Sequence, residues 1–454
     1  MKQANQEVHV APWEAAFRRV LSPMQHFIHH QTAASGLLIL CTVIALLIAN
    51  STWNEHFQHF LHLPVALQFG SWRFELSLLH VINEAMMAIF FLFVGLELKR
   101  ELLVGQLADL KRACLPVAAA LGGIVVPALI YYSLNPSAPQ SYGWGVPMAT
   151  DIAFAVAALG LLSGRIPAAC ASFLVALAIA DDLAAVLVIA VFYTEQINLE
   201  ALMYCVALCG VLLALNLGGI RTTIPYLAVG VFLWFAMLAS GVHATIAGVL
   251  LAFFIPMQPK FDVQYFIRRV RNIADDMEND AREDAKIVNS ENLRSRIWAL
   301  DTGVSLAQAP AQRLEHKLHI PVAFIVLPLF ALGNACVPID FAHLGEVLNH
   351  SVTLGVIAGL VLGKWMGVAG ATWLMVKLKL ATLPDQVTMR HIHGLAMLAG
   401  IGFTMSIFVA DLAFARAPEL LLQAKTGILF ASLIAGVAGY CWLRFACGKP
   451  THQE

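Results

Sequence analysis

The stretch FLVALAIADDLAAVLVIAVF, residues 173–192, sets two acidic side chains, Asp181 and Asp182, in the middle of a run long and apolar enough to cross a lipid bilayer. Asp151 and Lys364 carry charges into apolar runs of their own. An ionised side chain at the centre of a bilayer costs about 2.5 to 3.5 kcal/mol even on the lenient insertion scale. Charges at that depth therefore indicate a water-accessible ion or proton site, which is typical of a transporter core.

The composition assigns the whole chain to a membrane. Hydrophobic residues make up 59% and charged residues 13% of the sequence, an excess that the surface of a soluble domain could not cover. The sequence predicts an all-α polytopic membrane protein of about twelve transmembrane helices. Their predicted spans are 33–51, 80–98, 114–133, 146–163, 168–193, 200–217, 224–239, 243–256, 318–337, 352–375, 391–413 and 426–446.

Loop charge predicts the orientation of these spans, because positive loops stay in the cytoplasm. With the N-terminus inside, the outer loops hold only Arg73, Arg416 and Lys425. An even number of spans then leaves both termini cytoplasmic. The predicted organisation is a cytoplasmic N-terminal segment with an interfacial helix, spans one to eight, a cytoplasmic hydrophilic insertion, spans nine to twelve and a cytoplasmic tail, at 1–32, 33–256, 257–317, 318–446 and 447–454.

Two segments outside the spans have patterns of their own. Residues 67–79 (LQFGSWRFELSLL) carry apolar side chains near alternate positions around Gly70 and Ser71, which predicts a short hairpin. A homodimer contact and a plain loop are both open interpretations of it. The insertion begins with FDVQYFIRRVRNIADDM (261–277), a basic amphipathic pattern that could lie on an anionic lipid surface or be solvated without a transport function.

The eight cysteines fall almost entirely in apolar spans and lack paired-ligand spacing. We therefore expect free thiols, no structural metal and no cofactor. The lipid bilayer is the expected environment, and no nucleic acid partner is expected.

Two predicted spans are interrupted. Span four contains GVPMATD (145–151) and span eleven contains GIGFTMS (400–406), each a Gly-rich break with hydroxyl side chains. Broken helices at membrane depth are tolerated only where protein or water covers their backbone. Paired breaks in two halves predict inverted repeats, here spans three to five and ten to twelve, whose half-helix ends meet near the bilayer midplane.

The charges near these breaks have the signs that half-helix ends require. Each helix end carries roughly half an elementary charge, positive at the N-terminus and negative at the C-terminus. Asp151 and Lys364 can offset these charges. For Asp151, a dipole-balancing role and a direct role in transport both remain open. Lys364 could hold the assembly through a salt bridge to Asp181 or Asp151 and also titrate.

Asp181 and Asp182 point in directions about 100° apart if their span is helical. One carboxylate can face an ion cavity while the other meets a partner helix. Oxygen ligands suit hard cations such as Na⁺. Because two adjacent carboxylates shielded from water repel each other when both are ionised, such a site can hold either protons or a cation, which is the chemistry of exchange.

Six strings give the chain a specific resemblance: VGLELKREL (94–102), ATDIAFA (149–155), ALAIADDLAA (176–185), SGVHATIAG (240–248), IAGLVLGK (357–364) and GIGFTMSIF (400–408). Together they closely resemble the NhaA-type bacterial sodium/proton antiporters over essentially the whole membrane portion. The resemblance implies a twelve-helix inner-membrane protein with crossed, unwound fourth and eleventh helices. It also implies export of Na⁺ or Li⁺ in exchange for incoming protons by alternating access.

The family's site residues carry over by position. Asp182 matches the central cation-binding aspartate, and Asp181 matches its neighbour, proposed to pair with the lysine that Lys364 matches. Thr150 and Asp151 match the unwound segment of the fourth helix. The transported Na⁺ would then bind at Asp182 and Asp181.

Family members are typically pH-gated through charged residues at a cytoplasmic funnel. The matching positions are Glu97, Glu101, His243, Glu315 and His319. His243 has independent support, because histidine is the side chain whose unperturbed pKa lies in the physiological range. A satisfied core histidine is the alternative for it.

The chain departs from the family pattern at three places. The hydrophilic segment before span nine is much longer, Trp365 follows Lys364 where a proline is expected, and Asp411 adds an acid near the end of span eleven.

Other functions are less consistent with the residues, and we expect no enzyme. An intramembrane aspartyl protease would place its aspartates on two helices, and its GxGD signature is absent because Phe403 follows Gly402. A channel gains little from a buried lysine. A transporter of a small organic anion coupled to Na⁺ or H⁺ is the remaining alternative, because half-helix N-termini can hold carboxylates.

Overall fold

The computed structural model describes residues 31–69, 72–162, 164–194, 197–259, 261–283, 291–338 and 344–446. The interfacial helix predicted near the N-terminus and the predicted tail 447–454 lie outside these residues.

The chain begins with helices and one small sheet. Helix α1 (Gln31–Ala49) and helix α2 (Asn54–Leu61) are bent by 117° at the break between them. Strands β1 (Pro64–Phe69) and β2 (Trp72–Ser77) then pair antiparallel, with Pro64 opposite Ser77. Helix α3 (Leu78–Leu103) follows directly and includes a π-helical segment, Val81–Met86. The predicted hairpin is thus present, but it begins at Pro64 and ends where α3 begins. Its role as a dimer contact stays a prediction.

The remaining elements before the insertion are helical. They are α4 (Leu110–Leu134), a 3₁₀ helix (Gln140–Met148), α5 (Ile152–Gly160), α6 (Ala168–Phe192), α7 (Leu199–Leu217), α8 (Thr223–Ser240) and α9 (Ile246–Phe254).

The second part of the chain is also helical. Its elements are α10 (Val263–Glu283), α11 (Glu291–Ala307), α12 (Pro310–Asn334), α13 (Leu344–Asn349), α14 (Ser351–Lys377), α15 (Met389–Leu398), α16 (Phe403–Ala413) and α17 (Pro418–Ala446). Helix α14 contains a π-helical segment, Ala358–Gly363, immediately before Lys364.

Among the described residues, nine helices are long and apolar enough to cross a membrane, or up to eleven if each of two bent pairs counts as one span. The prediction of an all-α membrane protein is confirmed, but the count of twelve is not. The predicted eighth span, 243–256, contains only α9, whose nine residues extend about 14 Å. That length is less than half of the roughly 30 Å hydrocarbon core.

Glycines let the helices pack closely, as is usual in membranes. A Cβ on Gly248 of α9 would lie 2.2 Å from the carbonyl oxygen of Ala88 on α3, and a Cβ on Gly122 of α4 would lie 2.2 Å from that of Gly367 on α14. Substitution of either glycine would push two backbones apart. These contacts hold α9 against α3 and join α4 to α14, which carries Lys364.

The insertion forms a helical pair. Helices α10 and α11 pack on each other, and Arg296 Nη1 lies 2.8 Å from Asp276 Oδ2 between them. On the predicted amphipathic face of α10, Ile273 is buried, and the ring of Phe266 lies against Gly303 of α11. Residues 310–317, the last part of the predicted insertion, form the first turns of α12. The seven cysteines within the described residues are all free thiols.

The spans alternate between two faces of the molecule. We call the face with the strand pair, where α3 begins, the hairpin face, and the face where α3 ends and α12 begins the funnel face.

Candidate functional site

The two helix breaks cross at the centre of the molecule. The break between the 3₁₀ helix and α5 meets the break between α15 and α16, where the backbone N–H of Asp151 donates to the carbonyl of Ile401 at 2.7 Å. Gly402 permits this approach, because a Cβ there would lie 3.1 Å from the Ala149 carbonyl oxygen and 2.1 Å from Ser406 Oγ. The sequence prediction of two interrupted helices is therefore confirmed.

Asp151 bridges the two half-helix N-termini. Its Oδ1 accepts a hydrogen bond from the backbone N–H of Phe154, at the start of α5, at 3.1 Å. Its Oδ2 accepts from the backbone N–H of Thr404, at the start of α16, at 3.1 Å and also from the Thr404 hydroxyl. One carboxylate thus faces the positive ends of two helix dipoles. This is the dipole-balancing arrangement that the sequence left open for Asp151.

Lys364 pairs with Asp181. Its Nζ lies 2.5 Å from Asp181 Oδ2, and both side chains are 0% exposed. Thr150 Oγ1 lies 2.7 Å from the same oxygen and 2.9 Å from the carbonyl oxygen of Ala399, so its single proton can serve only one of them at a time. The sequence allowed either Asp181 or Asp151 as the partner of Lys364, and the structure has Asp181.

Asp182 is the site residue for which the described part of the chain supplies no hydrogen-bond partner. Both of its carboxylate oxygens are buried and accept no hydrogen bond from any part of the chain that the structure describes. The turn of α6 separates it from Asp181, as the 100° step per residue predicts. A buried carboxylate without a partner is costly unless a proton or a cation neutralises it.

A cavity of about 790 Å³ connects Asp182 with the funnel face. At its inner end it is lined by Asp151, Asp182 and Thr404, and at the funnel face by the ends of α3 and α12. These inner groups are oxygen donors, the ligands that hard cations prefer. An ion entering from the funnel face can therefore reach Asp182.

Four charged side chains meet at the mouth of the cavity, and we call them the funnel cluster: Glu97, Arg100, Glu101 and Glu315. Arg100 lies at its centre, with nitrogen–oxygen distances of 2.9 Å to Glu315, 3.2 Å to Glu101 and 3.9 Å to Glu97. Arg100 links α3 to α12 and was not singled out from the sequence. The helical spacing of Glu97, Arg100 and Glu101 could have revealed it.

The histidines divide between the two faces. His319 lines the cavity together with His316, which the sequence analysis also missed. His243 lies elsewhere: its Nε2 is 3.0 Å from the carbonyl oxygen of Tyr193, just beyond the C-terminal end of α6. The first turns of α6 line the cavity, and this helix of 25 residues is about 37 Å long. The structure therefore separates His243 from Glu315 and His319, correcting their assignment to one cytoplasmic cluster.

Trp365, which follows Lys364 on α14, has a specific partner. Its indole Nε1 donates to Nδ1 of His393 on α15 at 3.1 Å. The ring of Trp442 on α17 also packs against His393, with ring centroids 6.1 Å apart. Trp365 thus connects the turn of α14 that carries Lys364 to α15, the half-helix that precedes the crossing.

Comparison with known proteins gives a consistent result over nearly the whole chain. Residues 25–443 match the family model described as Na+/H+ antiporter 1. A Na(+)/H(+) antiporter NhaA 1 of Saccharophagus degradans is 49% identical over 447 residues, covering 98% of this chain and 96% of that protein. Proteins named Na(+)/H(+) antiporter NhaA from Sulfurimonas denitrificans and Dichelobacter nodosus are 47% and 46% identical, over 96% of this chain and 98% and 94% of theirs.

Proposed function

Because this chain belongs to the Na+/H+ antiporter 1 family, we propose that it exports Na⁺ or Li⁺ across the bacterial inner membrane in exchange for incoming protons. The exchange is electrogenic and regulated by pH, and it proceeds by alternating access. The observation that carries this proposal is the buried carboxylate of Asp182, which has no hydrogen-bond partner among the described residues and lies at the inner end of the cavity with the oxygens of Asp151 and Thr404.

Each site residue has a distinct role in the proposed exchange. Asp182 binds the cation directly, because its two oxygens are free of protein donors among the described residues. Asp181 shares the site and is neutralised by Lys364 when no cation is present. Asp151 holds the two half-helices together through their N-termini, and Thr150 connects Asp181 to the crossing.

Na⁺ and protons compete for these carboxylates in the proposed mechanism. Asp182 can be neutral with a proton or with Na⁺, and the Lys364–Asp181 pair is a second unit that can take up or release a proton. Exchange of one Na⁺ for more than one proton moves net charge across the membrane. Two titrating units around one cation site support this electrogenic stoichiometry.

The orientation follows from the loop charges. The funnel face carries the basic segments that the positive-inside rule assigns to the cytoplasm, and the hairpin face carries Arg73, Arg416 and Lys425. Both termini are then cytoplasmic. With the funnel face on the cytoplasmic side, the cavity opens inward, and rocking of the inverted repeats would expose the site to the other side.

The organic-anion alternative has less support from the site. An anionic substrate would use the positive ends of the half-helices, as helix N-termini commonly do. Here the carboxylate of Asp151 already occupies the N-termini of α5 and α16. The inner end of the cavity is also acidic, which repels an anion.

Purified protein in liposomes with a preformed, acid-inside pH gradient tests the function. External NaCl is expected to dissipate the gradient without any organic solute, because inward Na⁺ movement through the exchanger drives protons out. A pH-sensitive dye follows the change, LiCl tests the second cation, and choline chloride controls for ionic strength. A potential-sensitive dye measures the charge moved. A gradient that collapses only when an organic anion is supplied would contradict the proposal.

The funnel cluster is proposed to set the pH dependence. Glu315→Gln is expected to shift the activity profile about one unit towards lower pH, because one negative charge fewer near Arg100 weakens the attraction for protons at the mouth. The maximum rate should change little. Initial exchange rates across pH in liposomes give the profile.

The matched control is Asp301→Asn, which removes an exposed acidic charge on α11, away from the cavity. Its profile should match that of the unmodified protein. Equal shifts in both variants would mean that net surface charge, and not the funnel cluster, determines the response. The same measurement on His319→Gln and His243→Asn separates proton sensing at the funnel face from sensing at the hairpin face.

A further inference from the structure

Asp411, an acid near the end of predicted span eleven, forms a largely buried ion pair on the side of the site away from the cavity. Its Oδ1 lies 2.8 Å from Nζ of Lys425, and each side chain is 14% exposed. Asp411 is on α16 and Lys425 on α17, so the pair joins the two helices. Its other oxygen, Oδ2, is buried and has no hydrogen-bond partner among the described residues.

Asp411 lies on the face of α16 that extends from the site towards the hairpin face. Thr404, Phe408 and Asp411 are spaced at i, i+4 and i+7 on α16, so they share one face. Thr404 bonds Asp151 at the crossing, and Asp411 is about 10 Å further along the helix. This face therefore runs from the site towards the hairpin face.

An aromatic layer separates the site from the ion pair. The ring of Phe408 packs on Phe91 of α3 and Phe330 of α12, with centroids 5.5 Å and 6.2 Å apart, and all three are at most 1% exposed. These rings lie beyond the cavity lining. The site is therefore closed towards the hairpin face first by apolar rings and then by Asp411 and Lys425.

Stability alone does not account for such a pair. Desolvation of two charges offsets most of their attraction, and buried pairs are often no more stabilising than apolar residues of similar volume. Asp411 also leaves one oxygen without a donor, which adds to this cost. Such a pair can instead favour one arrangement of the helices over another.

We propose that Asp411 and Lys425 form the outer gate of the ion path. The pair is closed while the cavity is open to the funnel face, and it separates when the site opens to the hairpin face. The inference rests on the proposed antiport, because a gate on this side is needed only if the site is exposed to both faces in turn.

Cys336 provides a native probe of gate opening. It follows the end of α12 on the hairpin face, its Sγ lies 3.8 Å from Asn54 Oδ1, and it lies within the electrostatic field of Lys425. A variant retaining Cys336 as its sole thiol, with the other cysteines changed to alanine, can be labelled in right-side-out vesicles with a membrane-impermeant maleimide.

Asp411→Asn and Lys425→Gln are each expected to raise the Cys336 labelling rate about tenfold, because loss of either partner shifts the population towards the outward-open state. Local electrostatics alone predicts opposite changes: removal of the negative charge favours the reactive thiolate, and removal of the positive charge disfavours it. A labelling rate that rises in one variant and falls in the other would therefore refute the gate.

The charge-swapped variant, Asp411→Lys with Lys425→Asp, should return labelling towards the original rate. Glu419→Gln is the matched control, since it removes an exposed carboxylate from the same end of α17 and should leave labelling unchanged. If the single variants melt at lower temperature but their Cys336 labelling rate is unchanged, the ion pair only stabilises the contact between α16 and α17. That result would refute the gate.

Hydrogen exchange of Phe403–Ala413 in protein with its native cysteines gives a second readout if the single-thiol variant does not fold. Faster amide hydrogen exchange in both Asp411→Asn and Lys425→Gln supports the gate, and an unchanged rate of amide hydrogen exchange refutes it. The outcome is separable from that of the proposed function. If the substitutions raise Cys336 labelling but the unmodified protein shows no Na⁺-driven proton movement, the gate is supported and the proposed Na⁺/H⁺ exchange is refuted. If the protein exchanges Na⁺ for protons normally but neither substitution changes labelling, the exchange is supported and the gate is refuted.

Discussion

Asp182→Asn is expected to abolish Na⁺-driven proton exchange while leaving expression, insertion and melting temperature close to those of the unmodified protein. Asparagine keeps the shape of the side chain but removes the charge that binds a cation or a proton. Because no described residue donates a hydrogen bond to either Asp182 oxygen, the substitution breaks no hydrogen bond within the described structure. Function should therefore be lost without loss of fold.

Calorimetry of Na⁺ binding in detergent extends this test to the competition mechanism. In the unmodified protein, Na⁺ binding should release protons, and below the pH at which the site ionises the apparent affinity should fall about tenfold per pH unit for each proton displaced. Buffers of different ionisation enthalpy reveal the proton release. Asp182→Asn should show no Na⁺ binding heat at any pH.

Two results would contradict this role. Exchange with near-normal Na⁺ affinity in Asp182→Asn would remove Asp182 from the mechanism. Binding to the unmodified protein without proton release at any pH would favour independent sites for the two ions. Asp182→Glu is the matched control, since it retains a carboxylate and should retain some binding with altered affinity.

Lys364→Ala is expected to lower both exchange and thermal stability. Removal of one partner of a buried ion pair typically costs about 3 to 5 kcal/mol, because the other charge is left without compensation. Here Asp181 would keep only the hydroxyl of Thr150 as a donor among the described residues, and its Oδ1 already has no partner there. Thermal unfolding in detergent measures the loss.

The double variant Lys364→Met with Asp181→Asn separates charge from packing. It should recover much of the lost stability, because it removes both charges and nearly keeps their volume, yet it should remain inactive. A melting temperature unchanged in Lys364→Ala would show that the pair contributes nothing to stability. Recovery of exchange in the double variant would exclude both residues from the transport cycle.

Several features of the site were predictable from local sequence. Asp181 and Asp182 stand out because ionised groups in a long apolar run are costly, whatever the fold around them. The breaks at 145–151 and 400–406 are visible because glycine and proline interrupt a helix locally. The separation of the two aspartates follows from helix geometry alone.

Other features could not be predicted because they depend on contacts between distant segments. The partner of Lys364 was open between Asp181 and Asp151, since both are far from it in the chain. Arg100 was missed because its central position appears only when α12 brings Glu315 to the end of α3. His243 was grouped with Glu315 and His319 by family position, and its location followed from the direction in which α9 enters the membrane.

The sequence by itself determined the membrane class, the interrupted helices and the acidic residues of the site, because these depend on the solvent that a segment requires and on local backbone chemistry. Only the tertiary structure decided which charges are paired. In the structure Lys364 pairs with Asp181, and Asp151 accepts hydrogen bonds from the N-termini of two helices. Asp182 lies at the inner end of the cavity and has no hydrogen-bond partner among the described residues. The reason is physical: a charge is neutralised within a few ångströms, and that distance is fixed by how the helices cross.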